Sequence, residues 1–149
     1  MVGIIDYGVG NLFSLRSSLA AIGQEVVVSR EPEVLRRADH ILLPGVGAFQ
    51  DAVTKLRQSH LDEMVYEAVK EGKPLMGICL GMQMLFEKSF EYGEYEGLGL
   101  LKGQVIPMAG RIPEDLKVPH MGWNALNITQ PDGNLFRNTR EGDYVYFVH

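Results

Sequence analysis

The sequence is short of sulfur: its 149 residues hold a single cysteine, Cys79. A lone thiol excludes an intrachain disulfide and any multi-cysteine zinc or iron–sulfur centre. Long apolar runs are also lacking. The longest, residues 75–82, falls far short of the ~20 residues that span a bilayer. Basic charge is in deficit too: Lys+Arg 14 against Asp+Glu 19 gives a net charge of -5, with no field to draw nucleic acid or anionic lipid. Arg36 and Arg37 make too small a patch to change that. The start does not resemble a signal sequence, so a cytoplasmic location is expected. Glycine, by contrast, is plentiful, at 17 of 149 residues against a usual ~7%. At 46% hydrophobic and 22% charged, the remaining usage is that of a globular chain. The length suits one domain, expected to occupy residues 1–149.

Residues 3–6 form a short apolar run that breaks at Tyr7-Gly8-Val9-Gly10 before Asn11, a good helix N-cap. Leu12, Leu15, Leu19 and Ile22 then recur at helical spacing, with Gly23 placed to end the helix. Three valines in residues 25–29 predict a second strand, and Pro32 opens a short helix over 32–37. A third strand at 40–43 ends on Pro44-Gly45-Val46-Gly47. Helices are predicted over 49–57 and 61–70, then a fourth strand over 73–78, with helical spacing resuming at Leu80, Met84 and Leu85. Apolar strands alternating with helices indicate a doubly wound, mostly parallel α/β sheet. Beyond Phe90, glycines and prolines punctuate short segments. Strands are predicted at 104–108, 123–129 and 143–148, in an antiparallel C-terminal extension.

The most informative residues are Gly77-Ile78-Cys79-Leu80-Gly81, a nucleophile flanked by glycine at both two-residue offsets between an apolar strand and a helix. This is the nucleophile-elbow pattern with sulfur in place of hydroxyl. Small neighbours are needed because the chain reverses so sharply that side chains there would strike the nucleophile's own turn. A helix N-terminus favours the thiolate, and the N–H of Leu80 is placed to meet an oxyanion. The bland reading of Cys79 is a small buried hydrophobe, which does not require glycine on both sides. Glycines at 45 and 47 allow a second loop to present backbone N–H groups at the carboxyl edge of the sheet, although such a loop also serves as an ordinary turn.

Four stretches carry a resemblance: Asp6-Tyr7-Gly8-Val9-Gly10-Asn11, PGVGAF from Pro44, GICLGMQ from Gly77 and PHMGWN from Pro119, with YFVH at residues 146–149. With these the chain resembles class I glutamine amidotransferase domains. PHMGWN and YFVH point within that class to the histidine-biosynthesis branch, the glutaminase subunits of imidazole glycerol phosphate synthases. The resemblance implies hydrolysis of glutamine through a thioester on Cys79, with ammonia passed to a cyclase subunit built as a β/α-barrel, and no metal or organic cofactor in this subunit. It matches Leu80 and the Val46-Gly47 segment to the oxyanion hole, and Gln83, Tyr146 and His149 to the glutamine pocket. Gly10 and Asn11 match the face that meets the cyclase, and His120 and Trp123 are candidates for that surface.

A thioester mechanism needs an acid–base group, and four histidines are present. His40 opens a strand and His60 lies between helices, which are structural or exposed placements. His120 and His149 are the tempting candidates from sequence. The family pattern instead draws histidine and glutamate from a His-Pro-Glu segment, which does not occur in these residues. The expectation is therefore a domain incomplete at its C-terminus and inactive alone. Trp123 has a bland reading as packing, and Glu87, Glu91, Glu94 and Glu96 with Tyr92 and Tyr95 read as a solvated loop. Two other functions fit the same motifs: the glutaminase of another ammonia-channelling synthase, against which PHMGWN argues, and a non-catalytic module that docks a barrel partner.

Overall fold

The computed structural model describes residues 1–130 and 134–149. They form two compact units, Met1–Pro107 and Met108–His149. The first unit begins with β1 (Val2–Ile5), α1 (Leu12–Ala21), β2 (Val26–Ser29), α2 (Pro32–Leu35) and β3 (His40–Gly45). It continues through α3 (Phe49–Gln58), α4 (Leu61–Lys70), β4 (Leu75–Cys79) and α5 (Leu80–Met84). The four strands make one parallel sheet in the order β2-β1-β3-β4, as the alternation of apolar strands and helices predicts.

Local chemistry explains the helices. Asn11 caps α1, its side-chain oxygen accepting the Ser14 N–H at 3.2 Å. Gly23 closes that helix at φ 77°, with its N–H on Ala20 O at 2.9 Å and the Gln24 N–H on Leu19 O at 3.0 Å. Only a residue comfortable at positive φ ends a helix in this way. In α3, Phe49, Ala52, Val53 and Leu56 are buried, and in α4 Leu61, Met64, Val65 and Ala68. Both sets follow the i, i+3, i+4, i+7 spacing of a helix with one apolar face. Acidic residues occupy the first turn and basic residues the last turn of each, complementing the helix dipole.

The helices cover both faces of the sheet. Leu12, Leu15 and Leu19 of α1 pack on Val2, Ile4 and Leu42. On the other face Ile5, Ile41 and Leu43 meet Leu35, Phe49, Leu56, Leu61 and Met64. The chain leaving β1 therefore turns to one face and the chain leaving β3 to the other, although β1 and β3 are neighbours. Their carboxyl ends enclose a topological switch point, where open α/β sheets bind ligands.

The remainder of the first unit corrects the expectation for the C-terminal part. Helical periodicity stops at Met84, and the chain forms β5 (Phe86–Ser89), β6 (Tyr95–Glu96) and β7 (Leu101–Val105). β7 lies three residues earlier than expected and pairs parallel with β5, while β6 pairs antiparallel on the other side of β5. The return is fixed by tertiary contacts: Arg57 donates to Gly97 O at 3.0 Å and the Tyr66 hydroxyl to Leu98 O at 2.9 Å. In the second unit β8 (Met121–Ala125) and β9 (Tyr144–Val148) pair antiparallel, as expected, with a 3-10 turn at Asn134–Phe136. No helix among the described residues is long and apolar enough to cross a membrane. Among the same residues, no group of three or more His, Cys, Asp or Glu could hold a metal ion.

Candidate active site at the switch point of the sheet

Cys79 ends β4 and is followed at once by α5, so the thiol stands on the strand-to-helix turn. Its backbone adopts φ 55° and ψ -118°, a region that residues with a Cβ avoid. Its side chain is exposed. The strained, exposed placement is that of a nucleophile elbow, and it does not fit the reading of Cys79 as a small buried hydrophobe.

The flanking glycines are required by close approach. A Cβ on Gly77 would run into the backbone of Met82, within the turn itself. A Cβ on Gly81 would collide with the Leu43 carbonyl of β3 and lie 2.9 Å from the Pro44 carbonyl carbon. The second clash sharpens the sequence reading, because it lies between neighbouring elements and not inside the nucleophile's turn. Gly45 faces the same junction, where a Cβ would sit 2.9 Å from the Leu80 carbonyl carbon. Gly81 and Gly45 bring α5 into direct backbone contact with the end of β3, and Gly77 lets the turn itself close. In the strand register Gly45 lies beside Cys79, about 4.8 Å away across a parallel pair. Cys79 is therefore adjacent to the loop that begins at Val46.

That loop is the second candidate oxyanion element. Val46 is exposed and Gly47 takes φ 87°, before α3 begins at Phe49. The Phe49 N–H is capped by the Glu91 carboxylate at 2.6 Å. Glu91 thus leaves the solvated-loop reading: a part-buried carboxylate from the loop after β5 takes the place of the side-chain cap that Ala48 cannot supply. Glu87 likewise accepts the Gly103 N–H at 2.9 Å. Nothing in the local sequence pairs residue 91 with residue 49, so only the fold reveals that contact.

The loop after β1 completes the edge. Asp6 accepts the Gly8 N–H at 3.1 Å and the Arg30 guanidinium at 2.9 Å. The Arg30 hydrogen bond is the main cause that holds the Asp6 carboxyl below its ordinary value, against partial burial. Gly10, at φ 117°, lies so close to Pro44 that a Cβ would come within 2.9 Å of the proline Cβ. The first and third loops therefore touch. Gln83 of α5 is half-buried, one turn beyond Cys79. Asn11 is exposed and Gly10 half-buried.

The two histidines of the first unit are placed away from this edge. His40 opens β3, five residues before Gly45, which is about 16 Å along a strand. His60 follows α3, a ten-residue helix that carries the chain about 15 Å back from the carboxyl edge. It bonds Glu63 at 3.1 Å. Both are exposed, which agrees with the reading of them as structural or exposed positions. The other candidates lie in the second unit. His120 and His149 approach at 2.9 Å between ring nitrogens, and the other His120 ring nitrogen meets Asn124 Oδ1 at 2.9 Å. Trp123 is 66% exposed and makes an edge contact with Tyr146, so the packing reading for it gives way. Register places Met121, Trp123, Tyr144, Tyr146 and Val148 on one face of the β8–β9 pair, all exposed.

An exposed cysteine on a strained turn, beside a glycine loop at the switch point of a parallel sheet, defines a cysteine-nucleophile acyl-transfer domain. The profile of the CobB/CobQ-like glutamine amidotransferase domain matches residues 4–125. A crystal structure of a glutamine amidotransferase superposes with a TM-score of 0.71 at 21% identity, covering 99% of this chain and 70% of that one, a likeness of fold. The imidazole glycerol phosphate synthase subunit HisH of Oceanobacillus iheyensis is 50% identical over 149 residues, 100% of this chain and 72% of that protein. The same-named subunit of Aquifex aeolicus is 48% identical over 147 residues, covering 98% and 69%. The chain belongs to the glutamine amidotransferase family, among the imidazole glycerol phosphate synthase HisH subunits.

Proposed function

We propose that the chain is the glutaminase subunit of imidazole glycerol phosphate synthase in histidine biosynthesis, with Cys79 as its nucleophile. The observation that carries the catalytic assignment is the backbone of Cys79, held at φ 55° beside Gly45 with its side chain exposed. The thiolate attacks the carboxamide carbon of glutamine. Charge develops on the amide oxygen, where the N–H of Leu80 and those of the Val46-Gly47 segment receive it. Collapse of the adduct expels ammonia and leaves a γ-glutamyl thioester on Cys79. Water then releases glutamate and the thiol. Gln83, on the turn following the nucleophile, contacts the bound amino acid in this reading.

The ammonia goes to a cyclase subunit, a reading supported by the relatives' name, which makes each of them one subunit of a synthase. Gly10 and Asn11 on the loop after β1, and His120 and Trp123 in the second unit, are proposed to face that partner. Proton transfer to the leaving amine comes from neither His40 nor His60, which stand away from the carboxyl edge. The location proposed is the cytoplasm, where a biosynthetic subunit with a free thiol remains reduced.

The test is labelling by a diazo-ketone analogue of glutamine, followed by mass spectrometry. A single adduct on Cys79, suppressed by glutamine, is expected. No adduct at Cys79 in a chain that carries the family's His-Pro-Glu segment would overturn the reading. A Cys79→Ala variant separates catalysis from docking, since it should bind the cyclase normally and produce no ammonia. A wild type that binds the cyclase but yields no more ammonia than Cys79→Ala would leave only a docking module, and ammonia production by the variant at the wild-type rate would remove Cys79 as the nucleophile.

A further inference from the structure

We propose that Tyr7 is a positioning residue for the oxyanion loop: its buried hydroxyl holds the Pro44 carbonyl and so sets the path of the backbone through Val46 and Gly47. This rests on the reading of those two residues as oxyanion donors. Tyr7 packs in the main core with its hydroxyl donating to Pro44 O at 2.7 Å, across 37 positions of sequence. Phenylalanine would fill the same volume. The hydroxyl therefore serves its partner, because a buried polar group without one is costly.

The partner is a carbonyl that the sheet leaves over. The β1–β3 ladder ends at the Ile4–Leu42 pair, two residues before Pro44. Proline has no N–H to continue a ladder. Beyond Ile5 the chain turns away, and Tyr7 supplies a donor where the strand no longer does. Pro44 O belongs to the same peptide plane as the Gly45 N–H. Fixing one end of that plane fixes the direction in which Gly45 hands the chain to Val46. Gly10 holds the proline ring from another side, since even a Cβ there would come within 2.9 Å of it.

Tyr7 is itself braced. The Asp6 carboxylate closes the turn on the Gly8 N–H and is held by Arg30. Burial pushes the Tyr7 phenol up, so the hydroxyl stays protonated and remains a donor throughout the working pH range. The loop carrying Gly10 and Asn11 thereby has a rigid connection to the loop carrying Val46 and Gly47.

Tyr7→Phe tests this with two reagents and one spectrum. Wild type and variant, each carrying the family's His-Pro-Glu segment, are treated with the diazo-ketone glutamine analogue, whose carbonyl needs the oxyanion donors, and with iodoacetamide, which needs only an accessible thiolate. The expected result is about a tenfold lower maximal inactivation rate by the analogue, with its half-saturating concentration and the iodoacetamide rate unchanged. Equal rates with the analogue in both proteins would overturn the proposal. So would equal slowing with both reagents, which would signify a disturbed Cys79. Amide shifts of Val46 and Gly47 in a ¹⁵N-labelled sample decide independently of the chemistry. They should move in Tyr7→Phe while those of α1 stay in place; unmoved Val46 and Gly47 signals would also refute it. A wild type that iodoacetamide alkylates but the analogue does not would defeat the glutaminase reading, leaving the amide shifts to decide the role of Tyr7.

Discussion

Replacing Cys79 by glycine should make the protein more stable than replacing it by alanine, the reverse of the ordinary order. The backbone at Cys79 stands at φ 55°, ψ -118°. Inverting both signs gives an everyday extended conformation, and glycine alone enters the two mirror images equally well. A residue with a Cβ held in such a region costs about 1–3 kcal/mol. Glycine removes that cost but loses about 0.5–1 kcal/mol through its freer unfolded chain. The balance favours Cys79→Gly over Cys79→Ala by about 1 kcal/mol, or roughly 2–4 °C in midpoint for a chain of this size. Both variants lack the thiol, and the site is exposed, so differential burial adds little. Urea unfolding with matched m-values would measure the difference. A glycine variant less stable than alanine, at equal m, would refute the reasoning and mean that the turn stores no strain.

Gly81→Ala should be severely destabilising, because its Cβ meets the Leu43 carbonyl of β3, a backbone atom that cannot rotate away. A loss of about 3 kcal/mol is expected, at the upper end for overpacking, and a urea midpoint within error of wild type would contradict the packing described here. Asp6→Asn should flatten the acid limb of the stability profile. Its carboxyl is lowered chiefly by Arg30, so its contribution is present above the unfolded value of about 3.9 and fades as pH falls through the lowered folded value. The exposed Arg30 partner limits the effect at neutral pH to about 1 kcal/mol or less. Urea midpoints at pH 7 and pH 3 should therefore differ less in the variant; an unaltered difference would remove Asp6 from the acid response.

Much of the site was legible before any coordinates because its chemistry is local. The Gly-x-Cys-x-Gly pattern announces a turn too tight for side chains, and the turn at Cys79 has that form. The periods of α3 and α4, the Asn11 cap and the Gly23 terminus involve residues within one or two helical turns, so sequence spacing suffices to find them. The segments after Met84 behaved differently. β5, Phe86–Ser89, has four residues and no apolar run, and its pairing is settled by contacts that residues 57 and 66 make with residues 97 and 98.

By itself the sequence determined the parallel α/β class, the tight turn at Cys79, the glycine loops and the family, since each is written in short motifs or periodic patterns. Tertiary structure alone decided that Gly81 abuts β3, that Glu91 caps α3 and that Tyr7 holds Pro44. Each of these joins positions between 37 and 42 residues apart. The physical reason is one of range: propensity and spacing act over a few residues, whereas a shared sheet edge brings distant loops within hydrogen-bond reach only after the chain has folded.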